Sequence, residues 1–137
     1  MKITHRNPTL SEYNELRQMA GWPLLDPAIT TKGISNSIFS IVVEDDQGTL
    51  VGMGRLVGDG AIYLHIQDII VSPDYRNRGI GKTIMNTLLE HIDGLGGKNT
   101  YIGLMSSKGR EAFYKQFGFN ERPNDKQGAG MTKIKEK

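Results

Sequence analysis

A glycine-rich and basic segment begins at Asp74 and ends at Lys82, with the sequence Asp-Tyr-Arg-Asn-Arg-Gly-Ile-Gly-Lys. An apolar run precedes it, and apolar residues at helical spacing from Ile80 to Ile92 follow it. A strand, a turn and a helix in this order direct several backbone N–H groups at one point, at the positive end of a helix dipole. The segment therefore predicts a binding site for an anion such as a pyrophosphate.

The segment has two other interpretations. Gly79 and Gly81 would also suit a tight turn between a strand and a helix that binds no ligand. The dinucleotide fingerprint G-x-G-x-x-G is absent, and Gly79-Ile80-Gly81-Lys82-Thr83 lacks the earlier glycine of a P-loop. A nucleotide site of either kind is therefore the weaker prediction.

The rest of the chain predicts an α+β fold that would position this turn. Helices are predicted from the Thr9/Glu12 capping box, from Asp26-Pro27 to about Gly33, from Gly79 onward, and from Ser107 to Gly118. Strands are predicted at Lys2–Arg6, Ser37–Glu44, Thr49–Val57, Ala61–Val71, Thr100–Met105 and Met131–Ile134. Because a crossover helix separates Ala61–Val71 from Thr100–Met105, these two strands should lie parallel.

Composition narrows the functional classes. With 137 residues the chain is expected to form one domain, residues 1–137, and a net charge of +2 gives no argument for a nucleic-acid or membrane partner. The chain has no cysteine, so disulfides, thiolate metal sites and a cysteine nucleophile are excluded. This composition fits a cytoplasmic protein, and neither a signal region nor an apolar run of membrane-spanning length is expected.

Three motifs together resemble the GNAT superfamily of N-acetyltransferases. They are Arg76-x-x-Gly79-x-Gly81, the preceding Ile70-Val71-Ser72-Pro73, and Phe113-Tyr114-x-x-Phe117-Gly118-Phe119 further along the chain. The resemblance covers nearly the whole length. It implies a mixed, mostly antiparallel central sheet that splays between two parallel strands, with about four flanking helices. It also implies acetyl-CoA as cosubstrate and no metal.

The resemblance assigns cofactor-binding residues. Backbone groups of Ile69, Ile70 and Val71 would pair with the pantetheine arm as an added strand would. Amides of the turn would hold the pyrophosphate, and the residues concerned are Arg76, Asn77, Arg78, Gly79, Ile80, Gly81 and Lys82. Ser107 stands where many relatives carry a cofactor-contacting asparagine, so it is a weaker candidate for a bond to pantetheine. Tyr114 occupies the tyrosine position of the family.

Direct acetyl transfer in a ternary complex needs an acid for the leaving thiolate and a route for the amine proton, but no protein nucleophile. Tyr114 is the predicted acid, because a phenol with a pKa of about 10 can donate to a thiolate. Packing on the cofactor is its alternative role. Asp68, in a strongly apolar run, and His65 are competing candidates for the base, and bulk water could also accept the proton. Gln67 could only orient a water or the substrate.

The order of side chains on this strand depends on its regularity. With regular alternation, Tyr63, His65 and Gln67 share one face and Asp68 lies on the other. Members of the resembled family usually carry a bulge in this strand, which would disturb the alternation near Asp68.

The acceptor pocket is expected between the leading helices, the central strand and the C-terminal loop. Its candidate lining residues are Trp22, Tyr63 and Gln67, with Arg55 and Met131 as further candidates. The predicted acceptor is a small primary amine such as an amino acid, polyamine, amino sugar or arylalkylamine. The alternatives are a protein lysine or N-terminal acetyltransferase and a non-catalytic acyl-CoA sensor. Because many members of the resembled family dimerise, a homodimer is a further possibility.

Overall fold

Five strands form one sheet in the order β1-β2-β3-β4-β5, in a computed structural model that describes residues 1–137. The strands are β1 Lys2–His5, β2 Phe39–Glu44, β3 Leu50–Gly58, β4 Tyr63–Val71 and β5 Tyr101–Gly103. Neighbours from β1 to β4 are antiparallel, whereas the sheet as a whole is mixed. The predicted α+β class is thereby confirmed, although β5 is shorter than the predicted Thr100–Met105.

The helices are α1 Leu10–Met19, α2 Pro27–Ser35, α3 Ile80–Asp93 and α4 Glu111–Lys115, with a short 3-10 turn at Pro73–Tyr75. The Thr9/Glu12 capping box is present, and the Asp26 carboxylate accepts the N–H groups of Ala28 and Ile29. Both predicted helix starts are therefore confirmed. None of the helices is long and apolar enough to cross a bilayer.

The chain divides into two compact units, Met1–Ile102 and Gly103–Lys137. In the first unit, α1 and α2 cover one face of the sheet, where Tyr13 and Leu16 join a core that contains Met53 and Ile70. Helix α3 covers the opposite face, and its Ile84 lies directly over the β3 glycines. A Cβ built on Gly54 would be 2.6 Å from Ile84 Cγ2, so this helix approaches the sheet closely because β3 carries glycine there.

A bulge interrupts β4 at the position where family resemblance predicts one. Met53 pairs with Ile70 and Arg55 pairs with Gln67, so Asp68 and Ile69 together face Gly54. Asp68 has a φ of +56°, in the left-handed region. The bulge brings the Asp68 carboxylate to the α1 side of the sheet, where it meets Tyr13. Regular alternation, which put Asp68 on the opposite face, is therefore wrong here.

The second unit differs from its sequence prediction at two places. Ser107 does not cap a helix, because Gly109 with a φ of +89° interrupts the chain and α4 begins at Glu111. The predicted strand Met131–Ile134 is also absent. Its two large apolar side chains, Met131 and Ile134, are 88% and 82% exposed, so the segment gains too little burial to stabilise a strand.

Candidate active site

The glycine-rich turn forms an open end of helix α3. Gly79 precedes the helix with a φ of +80° and no side-chain cap, and a Cβ placed on it would meet no atom within 4 Å. Thr83 N–H is bonded to Gly79 C=O at 3.0 Å and so begins the helical ladder. The N–H groups of Ile80, Gly81 and Lys82 precede that bond, so they point out of the first turn toward open space. This geometry fits the phosphates of a nucleotide-derived ligand.

A second left-handed residue shapes the same turn. Asn77 has a φ of +62°, which asparagine tolerates better than most residues with a Cβ. Arg76, before it, is extended and exposed. Two left-handed positions separated by one residue fold the chain back on itself ahead of α3, and the basic side chains of this stretch lie at the surface.

Tyr75 connects the turn to the β2–β3 hairpin. Its hydroxyl donates to Asp45 Oδ2 at 2.6 Å, and the Arg78 guanidinium lies 4.9 Å from the centre of its ring. Asp45 also accepts N–H groups of the hairpin through Oδ1. The hydrogen bond from Tyr75 lowers the pKa of Asp45, and the same bond raises the pKa of Tyr75. The hairpin thus restrains the ring on which one basic side chain of the turn rests.

The backbone of β4 leads into this turn. Ile70 and Val71 pair with Met53 and Gly52 of β3 on one side. On the other side, Tyr101 N–H donates to Ile62 C=O at 2.8 Å, next to the first residue of β4. Three residues of β5 cannot pair with all nine of β4. This agrees with the prediction that the backbone of Ile69, Ile70 and Val71, at the end of β4, pairs with the ligand along this edge.

Asp68 is buried in an ion pair. Its Oδ2 accepts the hydroxyl of Tyr13 at 2.7 Å and Nε of Arg55 at 2.9 Å. Asp68 is 4% exposed and Arg55 8% exposed. Burial and the adjacent Asp68 carboxylate raise the pKa of Tyr13, so that hydroxyl remains a donor. The structure therefore places the first candidate base in a charge-compensated core position, and Arg55 is an ion-pair partner there.

The other β4 candidates are more accessible. Tyr63 is 61% exposed, and its ring lies 5.8 Å from that of Tyr101. His65 and Gln67 are half-buried. They pair with Val57 and Arg55 of β3, whose side chains lie on the α1 side of the sheet. Trp22 is partly buried against the α1 core, with the Arg17 guanidinium 5.6 Å from its ring centre. These four predicted residues, Tyr63, His65, Gln67 and Trp22, all belong to the first unit.

Tyr114 lies in α4, in the second unit. It is half-buried, with its ring 5.1 Å from that of Phe113 in an edge-on arrangement. Burial raises the pKa of Tyr114, opposed by the positive charge of Arg110. The phenol is therefore fully protonated at neutral pH, as a proton donor must be. Ser107 is exposed in the turn before α4, and its C=O accepts the N–H of Arg110 at 3.0 Å.

The second unit also has a surface depression of about 890 Å³ between α4 and the following loop. It is lined by Lys115, Phe119, Glu121, Asn124 and their neighbours, and contains none of the predicted site residues. Within the whole chain, no group of three or more histidine or acidic side chains is arranged to hold a metal ion.

Sequence reasoning did not predict the partners of Asp68. Arg55 is predicted from the sequence only as a candidate lining residue of the acceptor pocket, and no sequence signal places Tyr13 in the site. A signal was nevertheless present, since Arg55 and Asp68 are opposite charges in two adjacent, strongly apolar strands. Buried charges are normally paired, so two such residues in neighbouring strands predict each other.

Comparison with known proteins shows which family the chain resembles. The family model described as acetyltransferase (GNAT) domain matches residues 17–135, which span both units. The uncharacterized N-acetyltransferase ycf52 of Pyropia yezoensis is 28% identical over 128 residues, covering 91% of this chain and 72% of that protein.

Two solved structures resemble the whole chain. A probable acetyltransferase of unknown function from methicillin-resistant Staphylococcus aureus is 30% identical, with a TM-score of 0.88 and 98% of each chain covered. A GNAT-family acetyltransferase from Streptococcus pneumoniae is 26% identical, with a TM-score of 0.81, covering 99% of this chain and 98% of the other.

Proposed function

The chain belongs to the GNAT acetyltransferase family and is an N-acetyltransferase that uses acetyl-CoA, and from this premise we propose that its acceptor is a primary amine of a small molecule. The observation that carries the proposal is the charge balance on the α1 side of β4. Tyr63 and Gln67 carry no charge, and the Asp68 carboxylate is compensated by Arg55. A lysine-rich peptide would find no free carboxylate among these residues to balance its charges.

The net charge of the chain supports the same proposal. At +2 overall, the protein would not attract a basic protein tail electrostatically. A lysine-rich protein segment would therefore need acidic residues near the site to attract it.

In the proposed reaction the residues of the turn bind and orient the cosubstrate. Acetyl-CoA supplies the acetyl group as an activated thioester. The open N–H groups of Ile80, Gly81 and Lys82 would hold its phosphates, with Arg76 and Arg78 adding positive charge. Gly79 would leave room for that approach, since nothing lies within 4 Å of its Cβ position.

The remaining steps are proton transfers. The acceptor nitrogen bonds to the acetyl carbon as the carbon–sulfur bond breaks, and the amine proton must leave. His65 is the proposed acceptor of that proton, directly or through a water oriented by Gln67, because it is half-buried and lies on the α1 side of β4, where the acceptor is proposed to bind. Tyr114 would donate its phenol proton to the leaving sulfur.

A panel of acceptors tests this proposal. Release of the CoA thiol should be measured with amino acids, a polyamine, an amino sugar, an arylalkylamine and lysine-containing peptides at equal concentrations. We expect one class of small amine to give the highest kcat/KM, by about tenfold or more over every peptide. A peptide that exceeds all small amines would contradict the proposed acceptor class.

The assignment of the proton acceptor has its own test. His65→Gln should remove the limb of the pH–rate profile in which activity rises with pH, because glutamine cannot take up a proton. A His65→Gln enzyme with the wild-type profile would show that the amine loses its proton elsewhere.

A further inference from the structure

We infer that Asp68 is a positioning residue, and that its buried cluster with Tyr13 and Arg55 holds the β4 bulge in the shape that binds acetyl-CoA. The inference rests on the proposed function, since it concerns the strand proposed to contact the cosubstrate. It replaces proton abstraction as the role of this carboxylate.

The bulge is a strained element that needs support. Asp68 adopts a φ of +56°, a conformation that costs energy for any residue with a Cβ and persists only when its surroundings enforce it. The next three residues are Ile69, Ile70 and Val71, whose backbone is the proposed partner of the pantetheine arm. A change in the bulge would therefore alter the position of these groups directly.

The cluster supplies that support from two elements, α1 and β3. Tyr13 of α1 and Arg55 of β3 both donate to Asp68 Oδ2, at 2.7 and 2.9 Å. The Arg55 guanidinium also lies 5.5 Å from the centre of the Tyr13 ring, so the two donors contact each other. All three residues are less than 9% exposed. The carboxylate is therefore fixed by buried groups on two neighbouring elements.

Arg55 extends the cluster to α2. Its NH1 group donates to Gly33 C=O at 3.1 Å and to Ser37 Oγ at 2.9 Å, at the end of α2 and just after it. Asp68 thus connects the bulge with α1, α2 and β3. The carboxylate cannot move unless these elements move with it. The cluster therefore fixes the geometry of the β4 bulge.

The same contacts disfavour Asp68 as a base. A carboxylate that takes up the amine proton would leave the Arg55 cation buried without its counter-charge. Its Oδ2 is already shared between two donors. Proton uptake would therefore remove, during each turnover, the negative charge that compensates Arg55 in this cluster.

Asp68→Asn and Tyr13→Phe separate the two roles. Asparagine tolerates the left-handed backbone and keeps the side-chain shape, but it removes the charge. Phenylalanine removes only the Tyr13 hydroxyl. Acetyl-CoA affinity is measured by calorimetry, and kcat, KM and the pH–rate profile are measured with the best acceptor of the panel.

If Asp68 positions the bulge, Asp68→Asn should weaken acetyl-CoA binding by roughly tenfold or more, the loss expected for a charged hydrogen bond. Tyr13→Phe should weaken it in the same direction but less. The double variant should lose less than the sum of the two, because both act through one oxygen. The pKa that governs the pH–rate profile should not change in either variant.

Val42→Ala is the matched control, since Val42 belongs to the same buried cluster of apolar residues but has no part in the ion pair. It should lower the melting temperature and leave acetyl-CoA affinity unchanged. If Asp68→Asn does not fold, the comparison of acetyl-CoA affinity between Tyr13→Phe and Val42→Ala tests the inference.

The inference is overturned if Tyr13→Phe binds acetyl-CoA as the wild type does, or if Asp68→Asn binds normally and loses the rising limb of the pH–rate profile. Failure of the wild type to bind acetyl-CoA would instead contradict the proposed function.

Discussion

Replacing Gly54 by alanine tests how closely α3 must approach the bulge. Gly54 is buried and faces both Asp68 and Ile69 across β3 and β4. A Cβ added there would lie 2.6 Å from Ile84 Cγ2, 2.9 Å from Ile69 Cδ1 and 3.1 Å from Leu88 Cδ1. Carbon atoms in protein interiors pack at about 3.5–4.0 Å, so three side chains must move.

The size of the effect follows from those contacts. Inserting a methyl group into a filled core costs about 1–3 kcal/mol. Replacing glycine also restricts the unfolded chain, which offsets about 0.4–1 kcal/mol of that cost. The expected net loss is about 1–2 kcal/mol, which for a chain of this size lowers the melting temperature by roughly 3–8 °C.

Gly33→Ala in α2 is the matched control. Gly33 has no atom within 4 Å of its Cβ position and no left-handed φ, so the same chemical change meets no obstacle. It should raise stability by about 0.5 kcal/mol, because alanine favours the helix. Thermal unfolding of both variants checks the prediction. Equal melting temperatures for Gly54→Ala and Gly33→Ala would refute the close approach of α3 to the sheet.

Three further predictions concern the site and the pH dependence of stability. Gly79→Glu should abolish acetyl-CoA binding without unfolding the chain, because the new side chain has space but its charge repels phosphate. Gly79→Asn suits the left-handed backbone and should lose less affinity, as measured by calorimetry. Tyr114→Phe should lower kcat by about 100-fold or more with little change in acetyl-CoA affinity, and unchanged turnover would make Tyr114 a packing residue. The hydrogen bond from Arg6 lowers the pKa of Glu12 to about 2 from an ordinary value of 4.5. The stabilisation by Glu12 is therefore present above 4.5 and is lost as the pH falls toward 2. The wild type should be more stable than Glu12→Gln at neutral pH, with the difference disappearing in acid melts; a constant difference would exclude this linkage.

Most of the fold could be predicted because local signals and hydrophobic periodicity agree in the first 100 residues. The Thr9/Glu12 box, Asp26-Pro27 and the apolar stripe after Gly79 each predict a helix that is present. The last third has weaker signals. Ser107 resembled a cap, but the left-handed Gly109 breaks the helix before it starts. Short apolar segments near the C-terminus do not by themselves define a strand partner.

The phosphate turn of the site could be predicted from the sequence, but the environment of Asp68 could not. A turn that needs a left-handed backbone favours glycine, so the glycines of the phosphate turn could be identified from the sequence. The environment of Asp68 depends on a one-residue bulge that shifts its side chain to the other face of the sheet. Hydrophobic periodicity alone does not predict such a shift, and only the family resemblance predicts a bulge near this residue. The carboxylate therefore resembled a base in sequence and lies in an ion pair in the structure.

The most direct test of the account is thiol release from acetyl-CoA by the purified protein, with and without the panel of small amines, beside the Gly79→Glu variant. We predict amine-dependent release well above hydrolysis in the wild type, an acetylated amine of matching amount by mass spectrometry, and neither in the variant. Binding of acetyl-CoA with no acceptor-dependent release for any amine or peptide would contradict the central claim, and would leave a protein that holds the cosubstrate without using it.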